Sequence, residues 1–263
     1  MNILYKIPSK IQTWMKYQMN LTDKSSQNYR NLYDNDILNQ GVEFQIENYY
    51  EPSDKLRIRR LKMLLGVLSP CEKNCVLDVG CGVGTFAFYS AKKGAYAVGV
   101  DYSMESIKIA RLLSQRYKPA VNPFFLVADA TKLPFNRTPF NKVICADFIE
   151  HISDVEKEQV LDEIMRVMDS GTIIVYTPNY IRELIAFLIN HMKSVVTQKK
   201  TPVNVRHFGL TTRTKFEKIL RKYDSISINF RYVDETRPYL AKTPLLRRFL
   251  ALNLLWVITK GQK

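Results

Sequence analysis

The chain has 263 residues, 46% of them hydrophobic, enough to bury the core of one α/β domain with additions. It carries 39 Lys and Arg against 25 Asp and Glu, a formal charge of +14, and no run approaches the ~18 apolar residues that a membrane span needs. Its four cysteines, Cys71, Cys75, Cys81 and Cys145, have no second ligand pair at zinc spacing, and the first twenty residues hold Lys6, Lys10 and Lys16 with no continuous apolar stretch. A spanning protein, a disulfide framework, a zinc module and a secretory leader are thereby set aside, and a cytoplasmic protein with reduced thiols is expected.

In chain order, residues 1–20 place Ile11, Trp14, Met15 and Met19 at helical spacing around Lys10 and Lys16, a short basic amphipathic helix. Residues 22–53 are polar and rich in Tyr and Asn; with the preceding segment they read as an N-terminal extension or lid covering 1–53. Residues 53–68 read as a helix with Leu56, Leu61, Leu64, Leu65 and Leu68 on one face, Arg57, Arg59, Arg60 and Lys62 on the other, and Ser69-Pro70 as its stop.

The stretch 76–84 organises the rest of the chain. Val76, Leu77 and Val79 form the short apolar run of a central parallel strand, and Gly80, Gly82 and Gly84 remove the side chains where the chain bends. Strand, glycine loop and helix together make a nucleotide-binding arrangement. A second strand at 97–100 ends in Asp101, about twenty residues after the loop, where a carboxylate can accept from both ribose hydroxyls. Ser103 caps a helix expected over 104–117. Strands come next at 124–127, ending near Asp129 and Ala130, and at 142–146, ending at Asp147.

Ser153 and Glu156 form a capping box for a helix reaching about 168, and a fifth strand is expected over 172–176. Residues 180–207 read as an insertion that covers the substrate, with Leu184, Ile185, Phe187, Leu188 and Met192 on its apolar face and Lys193, Lys199 and Lys200 beyond it. A helix at 211–223, a strand at 226–233 and a last antiparallel strand at 253–260 complete the pattern. The alternation predicts a single α/β domain over 1–263. Its sheet is doubly wound, seven-stranded, mostly parallel and Rossmann-like, with the last strand antiparallel.

At LDVGCGVG (77–84), VGVDYS (98–103), ADATKLPF (128–135) and DFIEHI (147–152) the chain resembles the class I S-adenosylmethionine-dependent methyltransferases. Within them it is most similar to the small-molecule group that includes the O-methyltransferases of ubiquinone synthesis. The resemblance covers residues 72–178 well and 204–222 loosely. It implies S-adenosyl-L-methionine as cofactor. Gly80, Cys81 and Gly82 would approach the methionine part, Asp78 would order the loop and the cofactor's amino group, and Asp101 would hold the ribose. Tyr102 would pack on the adenine, with Asp129 and Ala130 at its edge and Asp147 at the inner end. His207 matches a histidine that lines the substrate pocket.

Asp147, Glu150 and His151 are the catalytic candidates. Their i, i+3, i+4 spacing puts them on one helical face if 147–152 makes a helical turn. In the ubiquinone-synthesis group the matching acid, Glu and His are associated with a divalent metal. Two carboxylates and an imidazole suit Mg²⁺ only marginally, so no metal is assigned, and His151 stands as the general base for a hydroxyl acceptor.

The charge is unevenly spread. Residues 71–177 hold 12 basic and 13 acidic side chains, and residues 178–263 hold 17 and 5, a balance of +12. Such asymmetry fits an anionic partner or a basic solvated surface. The leading reading is methyl transfer, at oxygen, to a small amphipathic or lipid-like acceptor, with an anionic membrane surface as the partner of the basic third. An RNA-modifying enzyme and a non-catalytic partner subunit are the alternatives. Against the first stands the lack of an appended RNA-binding motif, and against the second the intact glycine loop with Asp101 and Asp129. The oligomeric state has no signature in the sequence.

Overall fold

The computed structural model describes residues 23–136, 140–197, 207–237, 239, 242–243 and 246–261, with the backbone alone for 23–32, 191 and 194–197. The basic helix expected before residue 21, and Lys199, Lys200 and Arg206, lie outside the described residues.

A seven-stranded sheet runs in the order β3-β2-β1-β4-β5-β7-β6. Its strands are β1 (Cys75–Val79), β2 (Tyr96–Asp101), β3 (Phe124–Val127), β4 (Lys142–Ala146), β5 (Gly171–Pro178), β6 (Ile226–Val233) and β7 (Asn253–Lys260). The pairs among β1 to β5 are parallel, and β7 runs antiparallel to both β5 and β6. The predicted sheet and its antiparallel last strand are therefore present. β5 is longer than its apolar run because all eight of its residues pair with β7, from Gly171 opposite Lys260 to Pro178 opposite Asn253.

Alternation along the strands divides the core into two faces. Leu77, Val79, Val143, Cys145, Ile173, Val175, Leu254 and Trp256 face one way, against Val160, Leu161 and Ile164 of α5 (Asp154–Val167) and Phe216 and Leu220 of α7 (Arg213–Leu220). Val76, Ile144, Ile174, Tyr176 and Leu255 face the other way. There they meet Leu64 and Leu68 of α2 (Lys55–Leu68), Phe86 and Ala91 of α3 (Thr85–Lys92), and Ile107 and Ala110 of α4 (Met104–Tyr117). Helices on both faces and the reversal of strand order between β1 and β4 leave a crevice at the strands' carboxyl ends.

Caps set the helix bounds. Asp54 accepts from the amides of Leu56 and Arg57, which starts α2 two residues later than the apolar pattern does. Ser103 accepts from Ser106 to start α4, and Ser153 and Glu156 form the expected box on α5. Thr212 caps α7 and shortens the predicted 211–223 helix.

Residues 23–50, within the expected extension, are helical. α1 (Asp23–Gln45) bends at Gly41 and runs into a π-helical turn, Ile46–Tyr50. Ile46 and Tyr50 join Val83, Phe88 and Leu113 in a satellite cluster, so this segment seats on α3, α4 and the glycine loop. Residues 180–197 form α6 (Tyr180–Thr197), whose side chains over 181–188 are half-buried, while Ile189 and Met192 are exposed. α6 packs against the short α8 (Arg247–Leu250).

Candidate active site

The glycine loop leaves β1 at the crevice. Gly80 has φ +68, and a Cβ there would drive into the ring of Phe148, so neither the turn nor the packing admits a side chain. The amides of Gly80 and Cys81 both donate to the Val100 carbonyl, at 2.9 and 3.0 Å, which ties the loop to β2. Asp78 shares the α3 face of β1 with Val76 and is 2% exposed; its carboxylate accepts from the Ala87 amide at 3.0 Å. Burial above all, with Asp101 nearby, pushes its carboxyl up to about 7.

Asp101, at the end of β2, accepts from the amides of Gly82 at 2.8 Å and Ser103 at 2.9 Å, one on each oxygen. Each oxygen keeps a second lone pair for a ribose hydroxyl. Asp101 thus also staples the glycine loop to the start of α4, a role that the sequence pattern does not reveal. Its carboxyl is raised, by burial first. Asp129, past β3, accepts from the amide and hydroxyl of Thr131 at 2.9 and 2.7 Å.

Two cavities meet here. The smaller, about 110 Å³, is lined by Asp101, Tyr102, Asp129, Ala130 and Phe148. The larger, about 540 Å³, is lined by Asp78, Gly80, Cys81, Gly82, Glu150 and His207, among others. Tyr33, Gly80, Asp147 and His151 belong to the walls of both. All the cofactor residues expected from the sequence therefore surround one connected site. The residue set fits S-adenosylmethionine: glycines that let a ligand approach the loop and a buried acid for a charged aliphatic tail, and Asp101 with Asp129 for a ribose and a base edge.

The triad Asp147, Glu150 and His151 departs from expectation. Only Ile149–His151 is helical, as a 3₁₀ turn, and Asp147 has φ +53, a left-handed conformation that Asp tolerates. Asp147 is therefore not on one face with the other two. Its carboxylate instead pairs with the Arg60 guanidinium at 2.5 Å, and its amide donates to the Tyr176 carbonyl. Arg60, counted on the solvated face of its helix by sequence, turns into the larger cavity and lies 6.0 Å from the Tyr176 ring centroid. Glu150 is 1% exposed and accepts from the Thr177 hydroxyl at 2.9 Å. Burial, then the charge of Asp147, pushes its carboxyl up to about 8, so it is largely protonated at neutral pH.

His151 has His207 for a neighbour instead, with ring centroids 5.1 Å apart. The segment carrying His207 is held by Gly209, whose amide donates to the Glu150 carbonyl at 2.7 Å. A Cβ on Gly209 would strike the Ile152 carbonyl. Lys157, 1% exposed on α5, donates to the Gly209 carbonyl and to Asp154. Glu150, His151 and His207 offer ligand atoms all within 4.8 Å of one another. One acid and two imidazoles suit a borderline ion better than Mg²⁺, and Asp147 stands outside the set. Arg60, Tyr33, Lys157 and Gly209 are the site residues that sequence reasoning missed. Gly209 alone carried a local signal, as an isolated glycine between His207 and the Thr212 cap.

Residues 76–171 match a family model described as a methyltransferase domain. Ajmaline N-methyltransferase of Rauvolfia serpentina is 34% identical over 110 residues, 41% of this chain and 37% of that protein. Ubiquinone biosynthesis O-methyltransferase of Paracidovorax citrulli (strain AAC00-1) is 30% identical over 111 residues, 42% of this chain and 46% of that protein. The chain thus matches less than half the length of these curated relatives. Among solved structures, the PH0226 protein of Pyrococcus horikoshii OT3 superposes with a TM-score of 0.60 at 25% identity, covering 82% of this chain and 96% of its own. The magnesium protoporphyrin IX methyltransferase of Synechocystis PCC 6803 with bound SAH has the same fold, with a TM-score of 0.55 at 19% identity over 79% of this chain and 85% of that one.

Proposed function

We propose that this chain, which carries a methyltransferase domain at residues 76–171, is an S-adenosylmethionine-dependent methyltransferase that modifies a small acceptor at oxygen. The observation that carries the reading is the shared wall. Tyr33, Gly80, Asp147 and His151 line both the smaller cavity, where Asp101 and Asp129 lie, and the larger one, so a ligand in each meets the other at His151. The methylsulfonium of the cofactor supplies an already activated methyl group.

The chain's own part is positioning and proton handling. Asp101 and Asp129 hold the nucleoside end, and the side-chain-free glycine loop with Asp78 holds the amino-acid end. Arg60 anchors Asp147 at the junction, which fixes the floor on which the acceptor rests. His151, steadied by His207 and the Gly209 segment, takes the acceptor's proton as the carbon–oxygen bond forms. Relatives named for N- and for O-methylation match over 110 and 111 residues, and the imidazole at the junction is what favours oxygen here.

Titration calorimetry with S-adenosylmethionine and S-adenosylhomocysteine, followed by a methyl-transfer assay on parallel panels of phenols and amines, tests the reading. Micromolar cofactor binding with turnover on phenols supports it. Turnover confined to amines overturns the oxygen assignment, and failure of both cofactor forms to bind overturns the whole.

A further inference from the structure

Beyond the methyltransferase site, a second concavity of about 620 Å³ wraps the free edge of the sheet at β6. Its walls carry Arg59 of α2, Arg213 of α7, Arg231 of β6, Lys242, and Arg247 of α8, five cations drawn from five places in the chain. All five are exposed. The two acids that also line it are turned away. Asp234 is 3% exposed, and Glu235, 8% exposed, spends its carboxylate on the Tyr176 hydroxyl and the Asn253 amide on the side of the larger active-site cavity. Arg213 reaches Glu217 at 2.9 Å, and Arg59 donates to the Glu235 carbonyl at 3.1 Å. Among the described residues no carboxylate lies within ion-pair distance of Arg231, Lys242 or Arg247.

Two rings hold part of this charge in place. Arg213 lies 4.6 Å from the Phe230 ring centroid and Arg247 5.8 Å from that of Tyr232, so both guanidinium groups are supported on aromatic faces with their edges left to donate. Planar donors fixed around a concavity match the several oxygens of a phosphate group better than a lone carboxylate. Asp234 Oδ1 takes the Thr236 amide at 3.0 Å and the Arg237 amide at 2.7 Å, which turns this carboxylate into its own loop and away from the cations.

We propose that this concavity is a binding site for a phosphate-bearing ligand, separate from the cofactor and acceptor cavities. Glu235 forms part of the wall between the two, so the ligand would sit back to back with the acceptor.

The test uses the full chain, with inorganic pyrophosphate, glycerol 3-phosphate, and vesicles containing phosphatidylglycerol as probes, beside Arg231→Glu/Lys242→Glu. Both substituted side chains are exposed and no fold contact depends on them, so the melting temperature and S-adenosylmethionine affinity of the variant should match the wild type. Binding of the soluble phosphates that falls at least tenfold in the variant supports a site for free phosphate compounds. Vesicle binding without soluble-phosphate binding, lost in the same variant, supports a lipid headgroup as the source. No binding to any probe, or binding that the variant leaves intact, overturns the proposal and returns these cations to protection of an edge strand. Binding to tRNA alone overturns it in favour of a nucleic-acid surface.

Discussion

Asp101 has two jobs, and the two can be separated. Asp101→Ala removes a charged acceptor for the ribose, worth ~1.5–3 kcal/mol, and releases the staple between the Gly82 and Ser103 amides. S-adenosylmethionine affinity should fall at least tenfold by calorimetry. Asp101→Asn keeps one amide-accepting oxygen and should fall less; equal affinity in both variants and wild type would remove Asp101 from the cofactor site. His151→Ala should lower kcat at least tenfold while cofactor affinity stays within about threefold, because the ring is at the junction and not along the ribose. Repeating the assay with EDTA distinguishes a base from a metal ligand: full activity after chelation excludes an essential exchangeable ion at Glu150, His151 and His207.

Glu150 makes stability depend on pH. Its carboxyl is raised from the usual 4.5 to about 8, chiefly by burial. Between those values the folded chain keeps a proton that the unfolded chain has lost. Its stabilising share is complete below pH 4.5 and disappears as pH rises through 8. Asp78, raised from 3.8 to about 7, acts in the same direction at lower pH. Glu150→Gln preserves the shape and the Thr177 bond, and should flatten the decline in melting temperature as pH rises from about 7 to about 8. An unchanged profile would show Glu150 to be ionised in the fold. The cofactor acids were legible in the sequence because a strand end and a glycine loop fix their surroundings locally. Arg60 as a site residue, and the burial of Glu150, were not. The pattern of a basic helix face is the same whether one arginine reaches inward or not, and the burial of Glu150 depends on Thr177, 27 residues away.

At the scale of the elements, α6 leaves large apolar side chains exposed. Ile189 and Met192 are 47% and 69% exposed, and at the neighbouring α8 its N-cap Leu246 and Phe249 are 49% and 46% exposed beside Arg247 and Arg248. An apolar tip ringed by basic residues fits an anionic membrane surface, with apolar insertion and charge attraction acting together. Ile189→Ser/Met192→Ser should weaken binding to anionic vesicles severalfold with no change in melting temperature. An unaltered vesicle affinity would count against this face. No helix among the described residues is long and apolar enough to cross a membrane. The helix and strand positions were readable at this scale because caps and apolar runs are local. The covering of the glycine loop by α1 was not readable, because it rests on contacts such as the Tyr50 hydroxyl with the Val83 carbonyl that no periodicity announces.

Over the whole molecule, charge and chemistry are divided by the sheet. The crevice at the carboxyl ends of β1 and β4 holds the buried acids and histidines, and the β6 edge holds exposed arginines. The near-neutral balance of residues 71–177 and the +12 of residues 178–263 already separate these two regions in the sequence. No sequence pattern shows that Arg59 and Arg60, adjacent on α2, serve opposite sides of that division.

The seat of α1 has a kinetic consequence. Tyr33 approaches Gly82, Asp34 bonds the Ser103 hydroxyl, and Tyr50 bonds the loop carbonyl at Val83, so one helical segment roofs both chambers at once. A roof shared in this way imposes a queue. The nucleoside must be seated before the roof can settle, and the acceptor completes its pocket only afterwards. Steady-state turnover should therefore follow a compulsory sequence, with demethylated cofactor leaving last. S-adenosylhomocysteine would then inhibit competitively against S-adenosylmethionine and noncompetitively against the acceptor. Random-order inhibition patterns would mean that the two chambers open independently.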